Sequence, residues 1–285
     1  MTDQILENIL DAGRDDTDER LVSALTIAGS DSGGGAGLQA DLKTFAACGV
    51  HGTSVVTTVT AQNTRGVSGI QVLPTDIVRQ QYGAVTDDLA PVAAKTGALG
   101  NGQMIRAVAE CLHDRSIERL VVDPVMVSKS GDPLLPEAAH DPMRERLLPQ
   151  ALLATPNRHE VRALTGESVR GVSTMKEAAK RIHDFGVDNV LIKGSHLDDV
   201  VRDILYDGTG FVEYGADKVD TNRLHGSGCV FSSAIVARLA CDVDLPEAVG
   251  FAREFITEAI ETAPRVGGGI NPVNPMHTCW GSEDE

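Results

Sequence analysis

Aromatic residues are scarce in this chain: Phe, Trp and Tyr together make up 4% of its 285 residues. Because 42% of the residues are hydrophobic, the core must be built mainly from aliphatic side chains. CxxC pairs are missing among the scattered cysteines, which argues against a zinc site and a disulfide framework and favours a reducing compartment. The cysteines in question are Cys48, Cys111, Cys229, Cys241 and Cys279.

Basic residues are also in short supply, with 25 Lys and Arg against 41 Asp and Glu, for a formal charge of −16. Such a surface repels nucleic acid and anionic lipid. The sequence has no run of 18 apolar residues and no basic or apolar region at its amino terminus, so it predicts neither a membrane span nor a signal peptide. We expect a cytoplasmic protein without nucleic-acid or membrane partners.

From Leu21 onward, β-branched segments such as VSALTIAG and NVLIKG alternate with longer helical patterns. This alternation predicts βαβ units, an α/β fold with a mainly parallel sheet covered by helices on both faces. The segment VRDILYDGTGFVEY instead predicts an antiparallel hairpin. Because no linker interrupts the pattern, we predict one domain over residues 21–285, preceded by a flexible acidic extension over residues 1–20.

Polar, glycine-rich segments follow the predicted strands. In parallel α/β sheets, ligands bind at the carboxyl ends of the strands, so we expect these segments to converge on one edge. They are GSDSGGGAG, TAQNTRG, KTGALG, DPVMVSKSGD, TPNRHE, KGSH and HGSGC.

The first of these segments runs from Gly29 to Gly37 between a strand and a helix. It lacks the lysine of a P-loop and the acidic residue that follows a dinucleotide-binding glycine motif. Two interpretations stay open: an ordinary tight turn, or a place where the backbone approaches a small flat ligand.

The segment HGSGC precedes a long apolar helical pattern. Gly226 and Gly228 permit a turn that would aim the N–H groups of Ser227, Gly228 and Cys229 out of a helix N-terminus, as an anion site. An ordinary helix cap is the alternative. The Cys229 thiol could have a lowered pKa there, or could be a small apolar filler.

Asn157 and Glu160 follow a strand and a Thr-Pro turn, one helical turn apart. They could hold a hydrated Mg²⁺ through water, and helix capping explains the pair equally well. Lys193 ends a predicted buried strand, where a charge is costly unless it meets an anion. We take a phosphate as the expected partner of Lys193.

In this order, the segments resemble the hydroxymethylpyrimidine/phosphomethylpyrimidine kinases of thiamin biosynthesis, members of the ribokinase-like superfamily. The similarity extends from about Ala24 to Pro264 and includes ALTIAGSDSGGGAGLQADLKTF, VVDPVMVSKSGDPLL and HGSGC. The resemblance implies a three-layer α/β sandwich with a mostly parallel central sheet, usually as a homodimer. It also implies ATP and Mg²⁺ as cofactors for phosphorylating hydroxymethylpyrimidine and then its monophosphate.

At the substrate end, the resemblance implies that Gln62 hydrogen-bonds the aminopyrimidine edge, because a carboxamide offers both a donor and an acceptor. Gly29 and Asp41 match positions close to the substrate. Ala98 stands where a methionine is common, which would loosen the pocket wall.

At the phosphate end, the resemblance places Lys193, Asn157 and Glu160 in the region of the ATP phosphates and Mg²⁺, with Glu160 binding the metal through water. Gly226, Gly228 and Cys229 match the anion hole and the residue that faces the nucleophile. KGSH stands for the usual KGGH, and the carboxyl-terminal GGGINPVNPMHTCW keeps only traces of the family's usual ending.

Three other functions stay open at this point. A pyridoxal kinase of the same fold is the nearest, since pyridoxal is also a flat heterocycle with a hydroxymethyl arm. A sugar or nucleoside kinase would have an aspartate in place of Cys229. A pyrimidine-binding sensor without activity is disfavoured by the presence of Lys193, Glu160 and HGSGC.

Overall fold

The computed structural model describes residues 21–127, 134–194 and 200–279. The acidic extension predicted for residues 1–20 lies outside these residues. No helix in the described ranges is long and apolar enough to cross a membrane.

Within the described residues, the strands form one nine-stranded sheet in the order β3-β2-β1-β4-β5-β6-β7-β8-β9. The strands are β1 (Ser23–Asp31), β2 (His51–Asn63), β3 (Gly66–Val72), β4 (Ala93–Thr96), β5 (Arg119–Val122), β6 (Leu153–Ala154), β7 (Asn189–Ile192), β8 (Val200–Tyr206) and β9 (Phe211–Asp217).

The helices lie on both faces of this sheet, and a series of short helical turns spans residues 137–150. The helices are α1 (Gly37–Ala47), α2 (Thr75–Asp88), α3 (Gly102–Asp114), α4 (Arg158–Thr165), α5 (Val172–His183), α6 (Ser227–Ala240) and α7 (Leu245–Glu261).

The sheet is parallel from β2 through β1 to β7 and antiparallel at both edges. The three-layer α/β class and the β8–β9 hairpin predicted from the sequence are therefore confirmed. Strand β3 was not among the predicted strands. It is an edge strand whose side chains are mostly exposed, so it lacks the apolar alternation by which a half-buried strand is recognised.

Two aliphatic cores lie on opposite faces of the sheet. Successive residues of a strand point to opposite faces, so Leu120 and Val122 join one core while Val121 joins the other. The first core packs under α2, α3, α4, α5 and the turns at 137–150, and the second packs under α1, α6 and α7. Because both faces are covered, β5 and β7 are apolar after their first residue. Strands β1, β2 and β4 also contain buried polar residues, such as Thr26, Thr57 and Lys95.

Candidate active site

A pocket of about 300 Å³ opens at the carboxyl ends of the parallel strands. The predicted convergence of the polar segments on one edge is therefore confirmed. All the site residues proposed from the sequence line this pocket: Gly29, Asp41, Gln62, Asn157, Glu160, Lys193, Gly226, Gly228 and Cys229.

The glycine-rich loop after β1 is organised around the buried carboxylate of Asp31. This carboxylate accepts hydrogen bonds from the backbone N–H groups of Gly33 (2.8 Å), Gly35 (3.1 Å) and Ala36 (2.8 Å). Burial would raise the pKa of Asp31, but the hydrogen bond with His225 and those from the backbone hold the pKa below its ordinary value. The loop is thus folded around a carboxylate that is ionised at neutral pH.

Gly29 lies at an irregularity in the pairing of β1 with β2, between Ala28 and Ser30. A Cβ atom at Gly29 would lie 2.3 Å from Oγ1 of Thr58, so only glycine fits there. The backbone of Gly29 therefore forms part of the pocket wall, beside Ala98. Packing against Thr58 thus requires the glycine, and the approach of this backbone to a flat ligand stays a prediction.

His225 and Gln62 meet at the same end of the pocket. Nε2 of His225 lies 2.9 Å from Oδ2 of Asp31 and 3.3 Å from Nε2 of Gln62. The carboxamide of Gln62 also contacts the hydroxyl of Thr60, at 3.3 Å. Strands β1 and β2 and the loop before α6 thus hold one connected polar cluster.

Helix α6 begins directly after His225, with Gly226 at its N-cap. Gly226 has φ +77°, and a Cβ there would lie 1.9 Å from the carbonyl oxygen of Gly35, so glycine is needed for both reasons. The prediction of three outward N–H groups needs a correction, because the N–H of Ser227 donates to the carbonyl of Leu224 at 3.2 Å. The N–H groups of Gly228 and Cys229 lie in the first turn, where a helix supplies no acceptor, so the predicted anion site has two such donors rather than three.

The Cys229 thiol is half-buried among apolar side chains of α6 and its neighbours. Burial raises the pKa of this thiol to about 12, although Lys95 and the N–H of Gly37 act in the opposite direction. The side chain is therefore a neutral thiol at physiological pH. A lowered pKa, one of the two interpretations of Cys229 from the sequence, is not what this environment produces.

Asp41 lies at the floor of the pocket in a fully buried ion pair. Its Oδ1 atom is 2.6 Å from Nζ of Lys95, and both side chains are essentially inaccessible to solvent. The hydroxyl groups of Ser233 (2.8 Å) and Thr26 (2.6 Å) donate to the same carboxylate. Lys95 also donates to the carbonyl of Cys229 at 3.4 Å, so this pair ties β1, β4 and α1 to the first turn of α6.

Lys193 forms an ion pair with Asp123 within the protein, and its pairing with a phosphate stays a prediction. Its Nζ atom lies 2.7 Å from Oδ1 of the buried Asp123, and the hydroxyl of Thr155 donates to the same oxygen. Burial would lower the pKa of Lys193, but Asp123 and Glu160 raise it above its ordinary value. The ammonium stays charged and close to the start of α6, since a Cβ at Gly228 would lie 3.5 Å from Nζ.

Asn157 and Glu160 form a complete capping box at the start of α4. The Asn157 side chain accepts from the N–H of Glu160 at 3.1 Å, and the Glu160 carboxylate accepts from the N–H of Asn157 at 2.7 Å. The capping interpretation is therefore confirmed, and both residues also line the pocket. The described residues contain no cluster of three or more His, Cys, Asp or Glu side chains that could hold a metal.

The carboxyl-terminal segment braces the loop before α6. The N–H of His225 donates to the carbonyl of Asn271, and the N–H of Val273 donates to the carbonyl of His225, both at 3.1 Å. The N–H of Ile270 donates to the carbonyl of Thr64, in the turn between β2 and β3, at 2.7 Å. Residues 267–273 thus connect two parts of the pocket wall.

Four charged or polar residues of this site were not identified from the sequence. Three of them end, interrupt or follow a strand and the fourth precedes α6 in the HGSGC segment, and these positions were the available indication. They are Asp31, Lys95, Asp123 and His225.

The model of the family described as phosphomethylpyrimidine kinase matches residues 31–274. The hydroxymethylpyrimidine/phosphomethylpyrimidine kinase of Streptomyces coelicolor is 48% identical over 250 residues, which are 88% of this chain and 93% of that protein. The thiamine biosynthesis bifunctional protein ThiED of Geobacter sulfurreducens is 47% identical over 255 residues; these are 88% of this chain but only 52% of that longer protein.

A solved structure with the same fold is the ADP complex of Bacillus subtilis pyridoxal kinase. It superposes with a TM-score of 0.84 at 36% identity, covering 90% of this chain and 98% of the other. The ribokinase-like architecture expected from the sequence is therefore confirmed.

Proposed function

The chain belongs to the phosphomethylpyrimidine kinase family, and from this membership and the pocket we infer that it is a bifunctional phosphotransferase. It phosphorylates 4-amino-5-hydroxymethyl-2-methylpyrimidine and then the resulting monophosphate, with ATP as the donor, in thiamin biosynthesis. The observation that carries this proposal is that one pocket has a carboxamide at one end and a buried lysine beside a helix N-terminus at the other.

The pyrimidine would bind at the end formed by β1 and β2. Gln62 offers a donor and an acceptor to a ring nitrogen and its exocyclic amine. The backbone at Gly29 and the small side chain of Ala98 leave room for a flat ring. Asp41 lines the same pocket, and its buried ion pair with Lys95 would support the pocket floor next to the ring.

The phosphates would bind at the end formed by β5, β7 and α6. The Lys193 ammonium and the N–H groups of Gly228 and Cys229 suit the charge that develops on a transferring phosphoryl group. The side chains of Val201, Ile256 and Ile260 provide an apolar part of the same pocket, suitable for the base of a nucleotide.

The carboxylates present fit a magnesium ion that is held mainly by the nucleotide. Mg²⁺ keeps several waters and needs only one or two protein carboxylates beside substrate phosphates, so a cluster of three ligands is not required. Glu160 would hold it through water, next to Asn157. When bound, the ion would neutralise charge on the phosphates.

One pocket can serve both reactions because neither needs a strong base at position 229. The monophosphate is already largely a dianion at neutral pH, since its second pKa is about 6. The hydroxymethyl group attacks in a loose transition state, in which positioning and charge stabilisation contribute most. A neutral thiol at Cys229 leaves room for the dianion, which the carboxylate of a sugar kinase would repel.

Pyridoxal phosphorylation is the second candidate, favoured by the structural match to a pyridoxal kinase. An assay of ADP release with hydroxymethylpyrimidine, its monophosphate, pyridoxal and ribose separates the possibilities. We expect the highest kcat/KM with the two pyrimidines. Turnover of pyridoxal alone would show that the pyrimidine assignment is wrong.

Lys193→Met tests the phosphate end of the pocket. We expect a loss of at least about a hundredfold in kcat, because a single electrostatic donor at a transition state contributes on that scale. Lys218→Met, which changes an exposed lysine outside the pocket, is the control and should turn over like the parent. Equal rates for the two variants would contradict the role of Lys193.

The homodimer and the cytoplasmic location expected from the sequence also remain proposals. The family resemblance supports the dimer, and light scattering during gel filtration measures it directly. A mass equal to one 30.1 kDa chain at micromolar concentration would overturn it.

A further inference from the structure

The hydrogen-bonding roles around Gln62 cannot all be satisfied with the carboxamide nitrogen next to His225. Nε2 of His225 lies 2.9 Å from Oδ2 of Asp31 and 3.3 Å from Nε2 of Gln62. One ring nitrogen either carries a hydrogen and donates, or lacks it and accepts. The two contacts therefore demand opposite states of the same atom.

Asp31 decides which state His225 adopts. Its carboxylate already accepts three backbone hydrogen bonds and is ionised, so it can only accept from the ring. At 2.9 Å, a contact between a carboxylate and an unprotonated ring nitrogen would be repulsive. Nε2 of His225 therefore carries the hydrogen. It faces the NH₂ group of Gln62, which is also a donor, so the two groups cannot form a hydrogen bond.

Thr60 gives a second, independent reason. Its hydroxyl lies 2.9 Å from the carbonyl oxygen of Ser30 and 3.3 Å from Oε1 of Gln62, and both of these atoms are acceptors. A hydroxyl has one hydrogen to donate. Because that hydrogen is directed to the closer oxygen of Ser30, the hydroxyl faces the carboxamide oxygen mainly with its lone pairs, and an N–H in that place would make the better hydrogen bond.

One rotation removes both conflicts. We propose that the Gln62 carboxamide works turned by 180°, with Oε1 as a second acceptor that shares the Nε2–H of His225 with Asp31 and with Nε2 donating to Thr60, and that Asp31 and His225 are positioning residues that fix this orientation. Each end of the carboxamide then keeps one further position, a lone pair on Oε1 and an N–H on Nε2. These two positions form an acceptor–donor edge of defined direction.

This direction selects the substrate, on the premise of the proposed function. The exocyclic amine of an aminopyrimidine would donate to Oε1, on the His225 side, and the adjacent ring nitrogen would accept from Nε2, on the Thr60 side. The corresponding pyrimidin-4-one has an oxygen and a ring N–H at these places. Its oxygen would face Oε1 of Gln62 and its N–H would face the N–H of Nε2, so both contacts would be repulsive. The enzyme should therefore discriminate between the 4-amino and 4-oxo compounds.

His225→Gln and His225→Leu form a matched pair for the test. Glutamine retains an N–H near the position of Nε2, whereas leucine removes it. With the leucine variant we expect the ratio of kcat/KM for the 4-amino over the 4-oxo compound to fall by roughly three- to tenfold, the effect of losing one neutral hydrogen bond. The glutamine variant should recover most of the ratio, and KM for ATP should stay constant in both.

Thr60→Val tests the same orientation from the other end and does not depend on the folding of the histidine variants. It should lower the ratio by a similar factor, and combination with His225→Leu should lower it further. An unchanged ratio in His225→Leu, in Thr60→Val and in their combination would overturn the proposal, while phosphorylation of hydroxymethylpyrimidine by the parent enzyme would still uphold the proposed function. Failure of the parent to use any pyrimidine would instead refute the function itself.

Nitrogen NMR of the ¹⁵N-histidine-labelled enzyme provides a measurement that does not involve activity. We expect Nε2 of His225 to be protonated at neutral pH. In the Asp31→Asn variant this preference should weaken, because an amide can donate to the ring as well as accept. An unprotonated Nε2 in the parent enzyme would overturn the assignment.

Discussion

Replacing Lys95 with methionine should be among the most destabilising single changes in this protein. Lys95 and Asp41 are both fully buried and 2.6 Å apart, so the substitution leaves a carboxylate with only the hydroxyl groups of Thr26 and Ser233 as partners. Breaking a buried pair by removing one member costs about 3–5 kcal/mol. The free energy of unfolding of a typical domain is only about 5–15 kcal/mol.

Urea denaturation followed by circular dichroism measures this cost. The control is Lys180→Met, which removes an ion pair with Glu177 whose two side chains are 49% and 66% exposed. An exposed pair contributes less than about 1 kcal/mol. If Lys95→Met costs no more than Lys180→Met, the buried pair does not have the role that its geometry indicates.

A double-mutant cycle with Asp41→Asn refines the result. Because the amide carries no charge, the double variant should be more stable than the sum of the two single losses predicts, by at least about 1 kcal/mol. Additive losses would mean that the two charges do not interact. That outcome would refute the electrostatic reasoning even if both single variants were unstable.

The pH dependence follows from the same pair. Burial alone would lower the pKa of Lys95, but the charge of Asp41 raises it above the ordinary value. Since the folded pKa lies above the unfolded one, the stabilisation is complete below the unfolded pKa, about 10.4. It is lost as the pH rises through the folded pKa. The parent should therefore lose stability at alkaline pH more steeply than Lys95→Met does.

Three further outcomes are expected. Cys229→Asp should slow phosphorylation of the monophosphate at least tenfold, about 1.4 kcal/mol, while phosphorylation of hydroxymethylpyrimidine is spared. Cys229→Ser, which adds no charge, should affect both reactions similarly. Equal slowing of both reactions by Cys229→Asp would contradict the charge argument. Gly226→Ala should abolish activity and lower Tm, because its Cβ would clash with the carbonyl oxygen of Gly35. The control is Gly166→Ala, at φ +78° with nothing within 4 Å, which should lower the free energy of unfolding by only about 1–2 kcal/mol through backbone strain. Deleting residues 1–20 should leave turnover and the melting curve unchanged, and a large loss in either would show that the extension contributes to the domain.

Most of the fold could be predicted because burial on both faces leaves a clear pattern. The central strands are short apolar segments, and each is followed by a polar segment at one edge of the sheet. Strand β3 escaped prediction because it is an exposed edge strand. Its pairing with β2 depends on the turn between them, which apolar periodicity does not reveal.

The site was predictable to the extent that its residues lie in motifs. The pocket residues were found because glycines and polar side chains cluster after strands. The partners of these residues were missed, since Asp123 pairs with Lys193 across 70 positions and His225 with Asp31 across 194. Such pairs depend on strand order, which no local pattern records.

The brace formed by residues 267–273 has a consequence for the order of synthesis. All nine strands of the described sheet and helix α7 are made before this segment leaves the ribosome. Until then, His225 lacks both of its backbone partners, Asn271 and Val273. A nascent chain that ended near residue 265 would contain every buried residue of the two aliphatic cores except Val273, and yet would leave the loop before α6 without its backbone partners. In this enzyme, the residues that build the cores are thus synthesised before the segment that braces the active site.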